Sequence, residues 1–454
     1  MQPSLREFTV QNNLSKYIIE KKEETNNTNG SNHLNSYVPS IFAMFQSYME
    51  TGSNTPMHHF KYKFHHSLPQ TQIQPILIKI ITSEINTKEE YTKYTTSSTL
   101  SMGAALAAHK KGIKKILVID RHQACTGASI RNFGFITITG LRQKLMQKRA
   151  LRSREIWLDL VKKAKITVNH RGLYLVAQHK ESIPVLEEYL KVDPRKTVEL
   201  LSKKEMEAQS PLFKKNNNFG GLYSSDEVRI EPRLAIPAVA KYLQSIGIDF
   251  LWSEEVLDFS HQKIITQKRK IQFKKLIMAP GNHLKGLGRD VFEKKEVQSS
   301  KLHMLRVMPE KKITLPGGVM ADLTLMRYPG YENLPSKKKL DKVIKKTSRA
   351  ELDNGIHVIV VQGKDGSLTI GDSHHYTHDT HYPFENETID NLILKKFDQV
   401  LPIGKYKVIE RWVGEYPSGK KDYLDHWLDK NICIANVTTG IGMSTGFALA
   451  KSAR

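Results

Sequence analysis

Apolar residues in this chain fall into two patterns, and the stretch from Ser101 to Gly140 shows both. Ala104, Ala105, Leu106, Ala107 and Ala108 form a small-residue helix running into Lys110-Lys111-Gly112, where glycine takes the left-handed conformation that ends a helix at little cost. Ile116-Leu117-Val118-Ile119 is then apolar without alternation, the pattern of a parallel strand covered on both faces. Asp120 closes the run. A carboxylate at such a strand end is placed to accept hydrogen bonds from a ribose, and Thr126-Gly127-Ala128-Ser129 follows as a small-residue loop. Helix, turn, buried strand and acidic terminus together read as the second half of a βαβ nucleotide-binding unit.

Further along, helical spacing covers residues 142–164, 181–190 and 233–246. Strands are predicted at residues 172–177, 198–201, 249–252 and 255–258, and at 276–279, which ends in Pro280-Gly281. Between Lys301 and Leu401 alternation dominates. Residues 301–307 and 323–328 read as alternating strands, and residues 355–362 and 367–371 as a hairpin around Lys364-Asp365-Gly366. Residues 432–437 form the last strand, and Gly440-Ile441-Gly442-Met443 opens a helix over residues 444–451. The fold class is α/β, α+β overall. A Rossmann-like nucleotide domain (99–165, 226–300, 402–454) is interleaved with a second domain of mixed or antiparallel sheet (166–225, 301–401).

Composition changes this picture in three places. The 454 residues carry a formal charge of +23, but Lys337-Lys338-Lys339, Lys345-Lys346 and Lys420-Lys421 read as solvated surface, so no nucleic acid is expected. A basic protein does attract anionic substrates. Cys125 and Cys433 are the only cysteines, which excludes a disulfide framework and makes a reducing, cytoplasmic setting the default. No apolar run is long enough to span a bilayer, and no membrane partner is expected.

Five motifs carry a resemblance. Asp120-Arg121 with Thr126-Gly127-Ala128-Ser129 and Arg131-Asn132-Phe133-Gly134 is similar to the flavin-embracing segment of the D-amino-acid oxidase, glycine oxidase and sarcosine oxidase superfamily. Residues 325–329, 367–374, 411–414 and 437–443 keep that family's order and are most similar to a branch whose genes travel with phosphonate catabolism. The resemblance implies FAD as cofactor, bound by Asp120, Arg121, Gly127, Ala128, Ser129, Arg131, Asn132, Phe133 and Gly134. It also implies Val256 over the adenine, Ala279 and Gly281 at a second turn, and Gly440, Gly442 and Met443 at the flavin's pyrimidine edge. The implied activity is oxidation of a small primary or secondary amine, an aminoalkylphosphonate by the branch, to an imine and then an aldehyde, with O2 as acceptor. A glycine- or sarcosine-like substrate is the alternative, and a remnant without cofactor is a further one.

Flavin supplies the electron sink, so the protein's part is orientation and electrostatics. A small anionic amine calls for fixed cations, arginine above all. Arg327, Arg411 and Arg131 are candidates, with Tyr328, His374 and Trp412 shaping the pocket. Lys301 and Arg131 are the catalytic candidates, Lys301 as a cation that favours reaction with oxygen. No metal is expected, although His374, His375, His378 and His381 are clustered. Composition leaves the oligomeric state open.

The N-terminal region departs from the family pattern. Residues 1–35 are polar and expected to be disordered, and residues 76–81 form an isolated strand candidate. A flavin-binding unit opens on a strand and G-x-G-x-x-G, but those positions fall on Thr96, Ser98 and Ser101. Residues 90–95 read as a poor buried strand. Either Ser and Thr hydroxyls partly replace backbone contacts to phosphate, or residues 1–98 are a non-family extension standing where another strand and loop belong. The abrupt start of family likeness favours the second.

Overall fold

The computed structural model describes residues 87–95, 98–260 and 262–450. The expectations for residues 1–35, residues 76–81 and Thr96 lie outside them. Five parallel strands form the centre of the nucleotide half, in the order Asp249–Leu251, Ile116–Ile119, Thr87–Thr95, Lys270–Met278 and Ile432–Thr439. The uninterrupted apolar run is explained by its two neighbours. Ile116 and Val118 enter a core beneath the helices, while Leu117 and Ile119 enter a separate core on the opposite face.

Thr87–Thr95 corrects the reading of residues 90–95 as a poor buried strand. Thr92 stands opposite Ile116, and Thr95 stands opposite both Ile119 and Met278. Threonine and tyrosine favour extended backbone, and two flanking apolar strands supply the pairing that the segment's own charged pattern conceals.

The helix Thr99–Lys110 leaves this strand and packs on the C-terminal helix Gly442–Ala450. A Cβ on Gly103 would stand 2.8 Å from the Phe447 ring, and one on Gly446 would stand 3.3 Å from Thr99. Small residues in both helices therefore permit the close crossing. Trp157, from the helix Leu145–Lys163, meets Phe447 edge-on at 4.7 Å and donates to the Met443 carbonyl at 2.9 Å. This fixes the start of the C-terminal helix.

The substrate half is a mixed sheet in the order Val198–Leu201, Gly221–Ile230, Val168–Val176, Gly318–Ala321, Ile359–Gln362, Leu368–Gly371, Gln298–Pro309 and Tyr406–Trp427. Alternate residues feed two cores, Val319 and Val360 one, Met320, Ile359 and Val361 the other. The 22-residue strand Tyr406–Trp427 pairs first with Gln298–Pro309 and then with Ile432–Thr439, joining the two halves. The boundaries expected at 225/226 and 300/301 fall inside strands. Residues 323–328 are also corrected. Thr324–Arg327 is one helical turn, with Leu325 N–H donating to Asp322 O and Tyr328 N–H to Thr324 O. Alternation over six residues is too short to tell the two apart.

Candidate active site

One elongated cavity of about 420 Å3 follows the ends of the parallel strands and continues into the substrate sheet. At one end lie Asp120, Arg121, His122 and Gly281. Ser98, Thr99, Gly127, Ala128, Ser129, Gly440, Gly442 and Met443 line the middle, and Arg327, Tyr328, His357, Asp372, His374, Tyr376 and Tyr416 the far end.

Backbone geometry builds the first two parts. Asp120 accepts from His122 N–H at 2.9 Å. Asn132 organises the loop before it: its amide donates to Ala128 O and Ser129 O at 3.0 and 2.9 Å, and its oxygen accepts from Gly134 N–H at 2.8 Å. Arg131 Nε donates to Thr126 O at 3.0 Å. A Cβ added to Gly127, Gly281 or Gly442 would meet nothing within 4 Å, so three glycines of the cavity wall face open space. The helix Thr99–Lys110 begins differently from a glycine-rich turn. Ser98 Oγ accepts from Ser101 N–H at 3.3 Å, and Ser129 Oγ accepts from Thr99 N–H at 3.1 Å. Hydroxyls here sit on helix N-terminal donors that a diphosphate takes in a glycine-rich loop.

Side chains build the far end. Arg327 Nη2 donates to Tyr376 OH at 2.7 Å and to Tyr416 OH at 2.8 Å. His357 Nε2 stands 3.0 Å from Asp372 Oδ1, and His374 Nε2 stands 3.7 Å from Asp372 Oδ2. Burial pushes the Asp372 carboxyl up, but His374, His357 and Arg327 together outweigh it and hold it at about 2. Burial, reinforced by Arg327 and His357, pushes His374 well below the usual histidine range despite Asp372. Burial likewise raises the Tyr328 and Tyr416 phenols. The ligand atoms of His357, Asp372 and His374 all lie within 4.8 Å of one another.

Of the residues expected at the cofactor, Asp120, Arg121, Gly127, Ala128, Ser129, Arg131, Asn132, Phe133, Gly281, Gly440, Gly442 and Met443 reach the cavity wall. The wall does not include Gly134, Val256 or Ala279. Gly134 (φ +65°) stands where a Cβ would collide with Ile230 O, Val256 pairs with Thr266 in a hairpin, and Ala279 is buried among the helices. Arg327, Tyr328 and His374 reach the far end; Lys301, Arg411 and Trp412 do not. The Lys301 ammonium donates to the carbonyls of Tyr382 and Phe384 at 2.9 and 2.6 Å. Arg411 donates to Asp390, which also contacts His303. Trp412 donates to Arg131 O at 3.1 Å beneath the Arg233 guanidinium. Sequence reasoning passed over His357, Asp372, Tyr376 and Tyr416 as site residues. Asp372 and Tyr376 flank the quoted histidine, and Tyr416 lies two residues beyond a quoted motif, but no spacing rule joins them to Arg327.

Residues 100–453 match the family model described as DAO, FAD dependent oxidoreductase. The D-amino acid dehydrogenase of Helicobacter pylori (strain ATCC 700392 / 26695) is 31% identical over 116 residues, 24% of this chain and 27% of that protein; the chain thus spans about a quarter of the curated relatives it matches. Among solved structures, glycine oxidase from Geobacillus kaustophilus superposes with a TM-score of 0.62 at 16% identity, over 80% of this chain and 92% of that one. L-Proline dehydrogenase from P. horikoshii gives 0.65 at 14%, over 80% and 92%. FAD-bound L-alpha-glycerophosphate oxidase from Mycoplasma pneumoniae gives 0.62 at 15%, over 81% and 94%.

Proposed function

The chain belongs to the family of FAD-dependent oxidoreductases, and from that premise we propose that it oxidises a small amine bearing an anionic group, first among them an aminoalkylphosphonate, and passes the electrons to O2. The observation that carries the reading is Arg327, a guanidinium at the far end of the cavity held by two tyrosine hydroxyls. Its planar fork suits a phosphonate or carboxylate oxygen pair.

The residues present fit FAD. Asp120 stands at a strand end, Gly127, Gly281 and Gly442 leave open space along the wall, and two helices begin on the cavity. Asp120 would hold the ribose. Ser98, Thr99 and Ser129 would meet the diphosphate with hydroxyls, the first of the two accounts of this segment, since the Ser98 and Thr99 amides already donate to Ser101 Oγ and Ser129 Oγ. The amides of Gly442 and Met443 would favour negative charge at the flavin's pyrimidine end. When bound, FAD supplies the electron acceptor for the amine's α-C–H. This chain's own work is to anchor the anion on Arg327, fix the carbon by Tyr328 and its neighbours, and keep the buried site dry.

A carboxylate-bearing amino acid is the second reading, supported by the D-amino acid dehydrogenase segment match. Anaerobic mixing of FAD-loaded protein with 2-aminoethylphosphonate, its N-methyl derivative, glycine and sarcosine tests both. Bleaching by the phosphonates with at least tenfold higher kcat/KM than by the carboxylates supports the first, and the reverse order the second. Peroxide formed as colour returns in air supports O2 as acceptor. A purified protein that takes up no FAD is a remnant and ends the enzyme reading.

A further inference from the structure

Beside Arg327 the cavity wall carries a polar feature to which the reading above assigns no role. His374 Nδ1 lies 2.9 Å from the carbonyl oxygen of Gly355. A carbonyl only accepts, so Nδ1 holds the proton, and in the neutral ring Nε2 holds a lone pair. That lone pair stands 3.7 Å from Asp372 Oδ2, beyond hydrogen-bond distance and with an acceptor at each end. His357 Nε2 stands 3.0 Å from the other carboxylate oxygen, Oδ1, which is buried and has no hydrogen-bond partner. Asp372, His374 and His357 are 6%, 7% and 3% exposed, and all three line the cavity. His374 Nε2 and Asp372 Oδ2 thus present to the cavity two neighbouring acceptors with no proton between them.

We propose that the Asp372–His374 notch holds the substrate's amine by two of its N–H bonds and thereby selects amines over alcohols. This rests on the reading of Arg327 as the anion anchor. An amine offers a donor to each acceptor, whereas a hydroxyl offers one and leaves the other acceptor unpaired. The fold alone does not set this choice, since the glycerophosphate oxidase shares it. Arg327, electrostatically coupled to Asp372, already places one cation beside this carboxylate. A divalent ion across the three ligand atoms is therefore the competing occupant.

The test keeps the flavin reduced with excess dithionite, so that a bound amine cannot be oxidised, titrates the FAD-loaded protein anaerobically and reads the reduced-flavin spectrum. The probes are two matched pairs: 2-aminoethylphosphonate with 2-hydroxyethylphosphonate, and glycine with glycolate. Wild type is expected to bind the better amine about 10- to 100-fold more tightly than its hydroxy partner, the range for hydrogen bonds to a charged group. Asp372→Asn and, independently, His374→Gln bring that ratio to within about threefold of unity. Arg327→Met weakens both members of a pair alike and keeps the ratio. FAD content and melting temperature of each variant establish that it is folded, and either variant alone decides the outcome. An unchanged ratio in a folded variant overturns the notch and leaves the anion anchor standing. Failure of all four probes to perturb wild type overturns both readings. Stoichiometric zinc retained by wild type and lost in Asp372→Asn assigns the notch to a metal and overturns the proposal.

Discussion

The two ends of the cavity are built by opposite means. Around Asp120, Gly127 and Gly442 the wall is strand ends, turns and helix N-termini, held by backbone hydrogen bonds and open space beside glycines. Around Arg327 it is polar side chains: two tyrosines on a guanidinium, and a carboxylate between two imidazoles, one of them held by the Gly355 carbonyl. A backbone-built site tolerates changes of side chain but not added bulk. A site built from side chains depends on each member, and its buried ionisable groups make it sensitive to pH.

The largest expected effect follows from that dependence. Arg327→Met removes the fixed cation, and kcat/KM is expected to fall by on the order of 10^3, the loss of two charge-assisted hydrogen bonds. FAD affinity, measured by fluorescence, stays within about twofold, because the Arg327 hydrogen bonds go to Tyr376 and Tyr416 and to none of Asp120, Gly127 or Gly442. A comparable loss of FAD would break the contrast.

Acid should loosen the substrate half first. Burial, helped by Arg229, lowers His170 to about 3 from the usual 6.5. Between those values the unfolded chain binds a proton that the folded one refuses. Stability from this group is therefore present above pH 6.5 and lost as pH falls toward 3, on the order of 4 kcal/mol in all. Asp372, held at about 2 against an ordinary 3.8, adds a second loss below pH 4. Urea melts of His170→Gln against wild type from pH 7 to pH 4 are expected to show the flatter curve in the variant.

Smaller effects sharpen the other end. Gly442→Val directs a side chain into the open space along the wall and is expected to weaken FAD about tenfold to a hundredfold, as an overpacked site does. Bleaching by substrate in the fraction that retains FAD should be little changed. Least of all, Lys301→Met should leave the rate of reaction with oxygen within about twofold. The same change lowers stability by about 1 kcal/mol through loss of the hydrogen bonds to the carbonyls of Tyr382 and Phe384, residues exposed enough for water to take the lysine's place. A tenfold slower reoxidation would return Lys301 to the site.

Legibility divides along the same line. The run Ile116–Ile119, the turn at Gly127 and the start of the C-terminal helix could be read because each is a local rule, periodicity or small-residue backbone, written in consecutive positions. Thr87–Thr95 escaped because its strand character comes from neighbours at Ile116–Ile119 and Lys270–Met278, far away in the chain. Residues 323–328 misled because alternation over so short a stretch suits a helical turn as well.

By itself, then, the sequence determined the locally written parts of the nucleotide half: that Ile116–Ile119 is buried, where the chain turns at Gly127, and which carboxylate closes that strand. Tertiary structure decided how the far end of the cavity is assembled. Arg327, Asp372 with His374, and Tyr416 come from three segments. The pairing of Gln298–Pro309 with both Leu368–Gly371 and Tyr406–Trp427 gathers the strands that lead to Asp372, His374 and Tyr416, while Arg327 follows Gly318–Ala321 on the same sheet. Hydrophobic period reports which face of one element is buried, whereas partners in a buried ion cluster are chosen by distance in space, which no single segment encodes.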